Sequence, residues 1–246
     1  ERPEIMWQFG EAVRGIGDAC RALDIPITGG NVSLYNETEG RAIFPTPVLG
    51  VVGLLEDSQK TITRTFKRSG DVVVVLGHNR GELGGSEYLA TLHGVVGGVP
   101  PALDLALEAA LQTLIVKLIR ESSVDSAHDC SEGGLAVTLA ECTFDSGGIG
   151  VEADVAPAGE AGSFAVHATL FGESASRIVV STSGDRLEAV MSAARSAGVP
   201  AAAIGKTGKD RIRVTVGGQP AIDVPVTDAE HVWASTIERK MGLHVR

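Results

Sequence analysis

Cysteine, aromatic residues and positive charge are all scarce in this sequence, and each scarcity narrows what the chain can be. Cys20, Cys130 and Cys142 form no CxxC pair and no zinc-ligand spacing, and an odd number fits poorly with a disulfide framework, so a reducing, cytoplasmic setting is expected. The histidines show no HxH or HExxH pattern, which argues against a zinc site. No run of 18 apolar residues is present, and the opening ERPEIMWQF lacks the charged-then-apolar order of a signal peptide; neither a membrane partner nor a secretory leader is expected. Acidic residues outnumber basic ones to give a net charge of −10, against the basic surface that a nucleic-acid binder needs. A phosphate ligand would have to be held locally, by backbone amides or a metal ion. The first residue is Glu, inside what reads as a helix, so the expectation is a processed chain or a piece of a longer one.

What is present is ordinary for a folded protein: 43% apolar and 21% charged residues in 246, enough for one large domain or two modest ones. Ile5, Phe9, Val13, Ile16, Cys20 and Leu23 recur every three or four positions and predict a helix over 4–23. Residues 25–28 read as a short strand and 47–55, PVLGVVGLL, as a buried one; together they are too short for an independent domain and resemble the tail of one. A second unit is expected from about residue 58. Its β-branched run 71–77 predicts a strand in a sheet centre, with further strands at 177–181 and 212–216. Helices are predicted at 86–92, 102–120 (its start marked by Pro100 and Pro101), 132–144, 185–197 and 228–241. Strands alternating with helices indicate α/β or α+β layering, with no solenoid repeat.

Three segments could carry chemistry. Thr28–Thr38, TGGNVSLYNET, is rich in glycine and short oxygen-bearing side chains: Gly30 would let a backbone approach a phosphate, Asn31 offers an amide oxygen of the kind Mg²⁺ accepts, and Ser33 offers a hydroxyl to a substrate. Composition alone is better matched by a turn with Asx hydrogen bonds, and without a lysine the segment is not a GxxxxGK[ST] loop. In His128–Val137, HDCSEGGLAV, a carboxylate before a helix start could bind a metal–phosphate pair. Equally, Ser131 or Asp129 caps that helix and the glycines let it pack closely. Cys130 has only His128 beside it as a base, and adjacency along the chain proves nothing about geometry. In FGESASR, Glu173 and Arg177 either address a ligand or form a solvated pair at a strand entrance.

Taken together and in order, ERPEIMWQF, GGNVSLYNET, LGGSEYL, HDCSEGGLAV and LFGES resemble the phosphoribosylformylglycinamidine synthase family over essentially the whole chain. The resemblance implies an aminoimidazole ribonucleotide synthetase-like α/β fold in which N-terminal-type and C-terminal-type units occur twice along a much longer protein. Residues 1–57 would end the second N-terminal-type unit, and 58–246 would be the second C-terminal-type unit. It also implies a ligase that converts formylglycinamide ribonucleotide, ATP and glutamine-derived ammonia to formylglycinamidine ribonucleotide, ADP and phosphate, working with Mg²⁺, a glutaminase subunit and a small bridging subunit. Gly30 would contact ATP, Asn31 would ligate Mg²⁺ and Ser33 would touch the ribonucleotide. The family's catalytic histidines belong to the first repeat and its ATP-binding aspartate would precede Glu1, so no catalytic residue and no turnover by this chain alone are expected. Asp129 and Glu173 fall at positions of the second half that keep a structural or auxiliary nucleotide role. Ala175 follows Ser174 where the first half has a substrate-binding Gln, which counts against substrate contact there. Selenophosphate synthetase and thiamine monophosphate kinase are weaker resemblances, lacking GNVSLYNE; a non-catalytic structural module is the remaining alternative for the isolated chain.

Overall fold

The computed structural model describes residues 2–159 and 164–242. The three-and-four spacing of apolar residues produces a helix, α1 (Pro3–Leu23), with Pro3 in the first turn where its missing N–H costs nothing. After it comes one short hairpin, β1 (Glu37–Thr38) with β2 (Arg41–Ala42). Glu39 and Gly40 close it at φ +51° and +75°, the paired left-handed conformations that suit a two-residue hairpin turn. The strands expected at 25–28 and 47–55 are not formed. Val48, Leu49, Val51, Val52, Leu54 and Leu55 are exposed, and among the described residues no strand pairs with their run. Hydrophobicity alone does not make a strand: it takes a ladder of partners and a covered face.

The chain divides into two units, Glu1–Ser58 and Gln59–Arg246, and both hydrophobic core clusters belong to the second. That unit starts with β3 (Val72–Leu76), α2 (Glu87–His93), α3 (Leu105–Arg120), β4 (Ser126–Asp129) and α4 (Gly134–Thr143). It continues through β5 (Val151–Val155), α5 (Ala165–Phe171), β6 (Ile178–Thr182) and α6 (Leu187–Ser196) to β7 (Ala201–Thr207), β8 (Arg211–Val216), β9 (Gln219–Pro225) and α7 (Val226–Lys240). The seven strands form one sheet in the order β4-β6-β3-β7-β5-β8-β9, antiparallel throughout except for β5 beside β8.

All five residues of β3 are buried because helices cover both faces of the sheet. Val73 and Val75 pack with Leu135 and Leu139 of α4, Leu170 of α5 and Val226 of α7. Val72, Val74 and Leu76 pack on the other side with Leu111, Leu114 and Leu118 of α3 and Val190 and Ala194 of α6. The result is a three-layer α/β arrangement. An unbroken valine run here reports double cover, not a parallel sheet, since both neighbours of β3 run antiparallel to it.

Register also fixes where loops meet. Leu76 at the end of β3 and Asp129 at the end of β4 both stand opposite Ile178 at the start of β6. The loops 77–86, 130–133 and 172–177 therefore converge at one end of the sheet.

Candidate functional site

At that end, α4 begins without a local cap. Gly133 and Gly134 have φ +78° and +63°, and a Cβ on Gly134 would lie 2.5 Å from the Gly172 carbonyl oxygen, so the helix start sits directly against the end of α5. The Ser131 hydroxyl donates to Asp129 Oδ2 and caps no helix amide; only the Ser131 carbonyl meets α4, accepting the Gly134 N–H at 3.0 Å. The N–H of Gly133 donates instead to Glu173 Oε1 at 2.8 Å, and the same oxygen accepts from the Glu87 N–H, the first residue of α2, at 2.9 Å. Capping of α4 by Ser131 or Asp129, one of the sequence readings, is thus corrected: a carboxylate 40 residues away does that work.

Arg177 is not a solvated partner of Glu173 either. Only 2% exposed, it donates from Nε to the Ser174 carbonyl at 2.8 Å and from Nη2 to the Gly172 carbonyl at 2.6 Å, bracing the loop that carries Glu173. Burial pulls its pKa below the usual arginine value, opposed by Cys130, Glu82 and Glu173 nearby. The Glu173 N–H donates to the Glu82 carbonyl at 2.8 Å, and Ser174 Oγ accepts from the Arg80 N–H at 3.1 Å, which ties loop 77–86 to loop 172–177.

Beside α4 lies a cavity of about 330 Å³ whose lining includes Glu87, His128, Asp129, Ser131, Glu132 and Glu141. His128 spans two carboxylates, with Nδ1 3.2 Å from Asp129 Oδ1 and Nε2 2.9 Å from Glu141 Oε2. The Ser131 hydroxyl, against the opposing effect of burial, holds the Asp129 carboxyl below the usual carboxylate range. Four carboxylates make this lining hostile to a bare phosphate and suited to a cationic group. Among the described residues no group of three or more His, Cys, Asp or Glu could hold a metal ion, so the metal half of a metal–phosphate pair has no complete ligand set here. Cys130 is buried, and burial pushes its thiol pKa up, the reverse of what a nucleophile needs.

Gly30, Asn31 and Ser33 lie in the first unit, on an exposed irregular segment. Nothing stands within 4 Å of a Cβ placed on Gly30, so the backbone is open to approach. The Ser33 hydroxyl donates to Asn36 Oδ1 at 3.1 Å, and Asn36 Nδ2 donates back to the Ser33 carbonyl at 3.2 Å, a local side-chain-closed turn that differs from the expected Asx turn, in which the side-chain oxygen would accept a backbone N–H two residues on. Asn31 supplies one hard oxygen donor, and among the described residues no group of three or more His, Cys, Asp or Glu stands ready to hold a metal ion with it.

Comparison with known proteins decides the family. "AIR synthase related protein, C-terminal domain" matches residues 68–217, and the corresponding N-terminal domain matches residues 1–55. The chain belongs to the AIR synthase related family. Its curated relatives include the phosphoribosylformylglycinamidine synthase subunit PurL of Anaeromyxobacter sp. (strain Fw109-5), 50% identical over 95% of this chain and 30% of that protein. The PurL subunit of Moorella thermoacetica is 44% identical over 96% of the chain and 32% of its own length. The chain thus spans about a third of the curated relatives it matches. Among solved structures, Thermotoga maritima PurL complexed with FGAR aligns with a TM-score of 0.60 at 19% identity, covering 70% of this chain and 30% of that one. The structure of PurLQS from the same organism aligns at 0.53 and 20% identity, covering 69% and 27%. At such identities the likeness is one of fold.

Within this AIR synthase related chain, Asp129 lines the cavity beside α4, while Glu173 accepts the Gly133 N–H at the start of that helix. Sequence reasoning gave too little weight to Arg177 and passed over Glu82, whose Oε1 accepts from the Ala102 N–H at 2.9 Å. Glu82 lies immediately before LGGSEYL, a segment that carries part of the resemblance, and was assigned no role. The signal available was a charged residue inside each of two glycine-bearing loops that the strand order brings together.

Proposed function

We propose that this chain is part of a phosphoribosylformylglycinamidine synthase of the PurL type, and that the whole enzyme converts formylglycinamide ribonucleotide, ATP and glutamine-derived ammonia to formylglycinamidine ribonucleotide, ADP and phosphate. The 50% identity to a PurL subunit across 95% of the chain carries this reading. Thermotoga maritima PurL complexed with ATP and with FGAR supports the choice of ligands, and its PurLQS assembly supports a glutaminase and a small bridging subunit as partners. The setting proposed is the cytoplasm.

In the reaction the amide oxygen of the substrate takes the γ-phosphoryl group and ADP departs; ammonia then adds at the amide carbon and phosphate leaves with that oxygen. Gly30 is assigned to the ATP backbone contact, Asn31 to one Mg²⁺ ligand position and Ser33 to the ribonucleotide. When bound, Mg²⁺ would neutralise phosphate charge. Asn31 fits as a single oxygen donor to it. Opening of the Ser33–Asn36 turn would free the hydroxyl for substrate. The 1–57 and 58–246 boundaries are proposed as the end of the second N-terminal-type domain and the whole second C-terminal-type domain. For the isolated chain we propose no turnover: the exposed Gly30–Ser33 segment offers one wall of a site, and a reaction that depends on orientation needs the opposing wall.

The test is ADP release dependent on formylglycinamide ribonucleotide, with ammonia as nitrogen donor, in the full-length protein. Asn31→Ala should raise the Mg²⁺ concentration needed for half-maximal rate, and Asn36→Ala should do so less. Absence of substrate-dependent ADP release from the full-length wild type would refute the reaction. An unchanged Mg²⁺ dependence in Asn31→Ala, with both variants equally destabilised, would reduce the segment to a turn.

A further inference from the structure

The Glu173 carboxylate occupies an unusual place. One of its oxygens receives the N–H of Gly133 at the start of α4 and the N–H of Glu87 at the start of α2. Such convergent amides at helix starts, backed by helix dipoles, are the arrangement that otherwise recruits a ligand anion. Behind the carboxylate stands Arg177, 2% exposed, whose Nη1 has no hydrogen-bond partner while Nε and Nη2 hold the flanking carbonyls of Ser174 and Gly172. The N–H of Glu173 is itself anchored on Glu82. The backbone that carries the carboxylate is therefore anchored on both sides, by Glu82 and by the buried guanidinium, which places the side chain within reach of both helix starts.

We infer that Glu173 is a built-in anion: it fills the anion position at the α4 start permanently, and it staples α2, α4 and loop 172–177 into one unit. Two consequences follow. A free phosphate group does not bind at the α4 start, which is consistent with the acidic lining of the adjoining cavity. The helix starts are held in their positions without any ligand, so this end of the sheet keeps its shape in the unliganded protein. This inference stands on the hydrogen bonds alone and holds whether or not the synthase reading is correct.

The experiment uses the full-length protein. Glu173→Ala removes the internal anion and should lower the melting temperature by about 3–8 °C. Sodium formate, a free carboxylate small enough to enter the space left by the side chain, should restore the loss saturably, whereas sodium chloride at equal ionic strength should not; neither should change the wild type. Hydrogen exchange followed by mass spectrometry on peptides spanning residues 87 and 133 should show both starts exchanging at least about tenfold faster in Glu173→Ala. Should that variant fail to fold, the nearly isosteric Glu173→Gln keeps an acceptor oxygen without the charge and should show the same faster exchange to a smaller extent. A Glu173→Ala protein with unchanged melting, or one whose loss formate does not repair, would overturn the inference. So would unaltered exchange in Glu173→Gln, or saturable protection of the two peptides in the wild type by inorganic phosphate.

Discussion

Two glycines with nearly the same backbone conformation differ in what surrounds them, and the contrast separates conformational strain from collision. Gly134 has φ +63° and its virtual Cβ meets Gly172 O at 2.5 Å and Leu170 O at 3.0 Å. Gly147 has φ +74° with nothing within 4 Å. A left-handed L-residue costs about 1–2 kcal/mol, so Gly147→Ala should lose about that much. Gly134→Ala adds a clash with backbone that cannot step aside and should lose roughly 3–5 kcal/mol in urea unfolding. Equal losses at the two positions would mean that the α4 start has room to shift. Asp71 poses a different question. It is 4% exposed, its Oδ2 has no partner, and Oδ1 lies 3.5 Å from Arg68 Nε. Burial raises its pKa, outweighing the Arg68 guanidinium beside it. A carboxyl whose folded pKa exceeds its unfolded value contributes stability that is present below the unfolded pKa and lost as pH rises through the folded one. The stability of the wild type relative to Asp71→Asn should therefore improve as pH falls from neutrality through the carboxylate range. A difference independent of pH would show that the charged form is fully compensated.

At the scale of elements, capping explains both the agreement and the misses. The helix predicted over 102–120 begins at Leu105, because the Asp104 carboxylate accepts from the N–H groups of Ala106 and Leu107 at 3.0 and 3.1 Å; Pro100 and Pro101 precede the start without making it. Asp104→Ala should cost about 1 kcal/mol, measured by thermal or urea unfolding, and no loss would mean that packing of Leu111, Leu114 and Leu118 alone fixes the end. The helix predicted over 132–144 begins only at Gly134, since its cap comes from Glu173, and no local pattern can announce a partner so distant. Strand β3 was legible from five β-branched or aliphatic residues in a row. Strand β7, AAAIGKT, was not, because alanine carries a helix preference and the strand exists through its neighbours β3 and β5. Strand β9 holds Pro220 and Pro225, residues that argue against a strand except at an edge, and among the described residues it is indeed an edge, paired with β8 alone. The run 47–55 erred in the opposite sense, with strand-like composition and no ladder. Of the site, the residue types at 129 and 173 could be read from the sequence, while the two amides that converge on Glu173 could not.

For the whole molecule, the two units should differ in kind when heated. Both hydrophobic clusters are built from residues of the second unit, sealing the sheet from above with α4, α5 and α7 and from below with α3 and α6. In the first unit α1 has no buried residue, and the segment after it exposes Val32, Leu34, Tyr35, Phe44 and the run from Val48 to Leu55. Cooperative melting requires a core whose contacts are lost together, and a chain without buried apolar surface has little to offset the entropy of ordering it. Residues 59–246 expressed alone should consequently give a single calorimetric transition, with an enthalpy on the order of 130 kcal/mol from about 0.7 kcal/mol per residue. Calorimetric and van't Hoff enthalpies should agree. Residues 1–58 expressed alone should give no transition, only the gradual loss of circular-dichroism signal expected of a fraying helix. A broad, non-cooperative melt of 59–246 would mean that its core depends on the preceding 58 residues and would overturn the division. A sharp transition in 1–58 would show that this segment builds a core of its own in isolation.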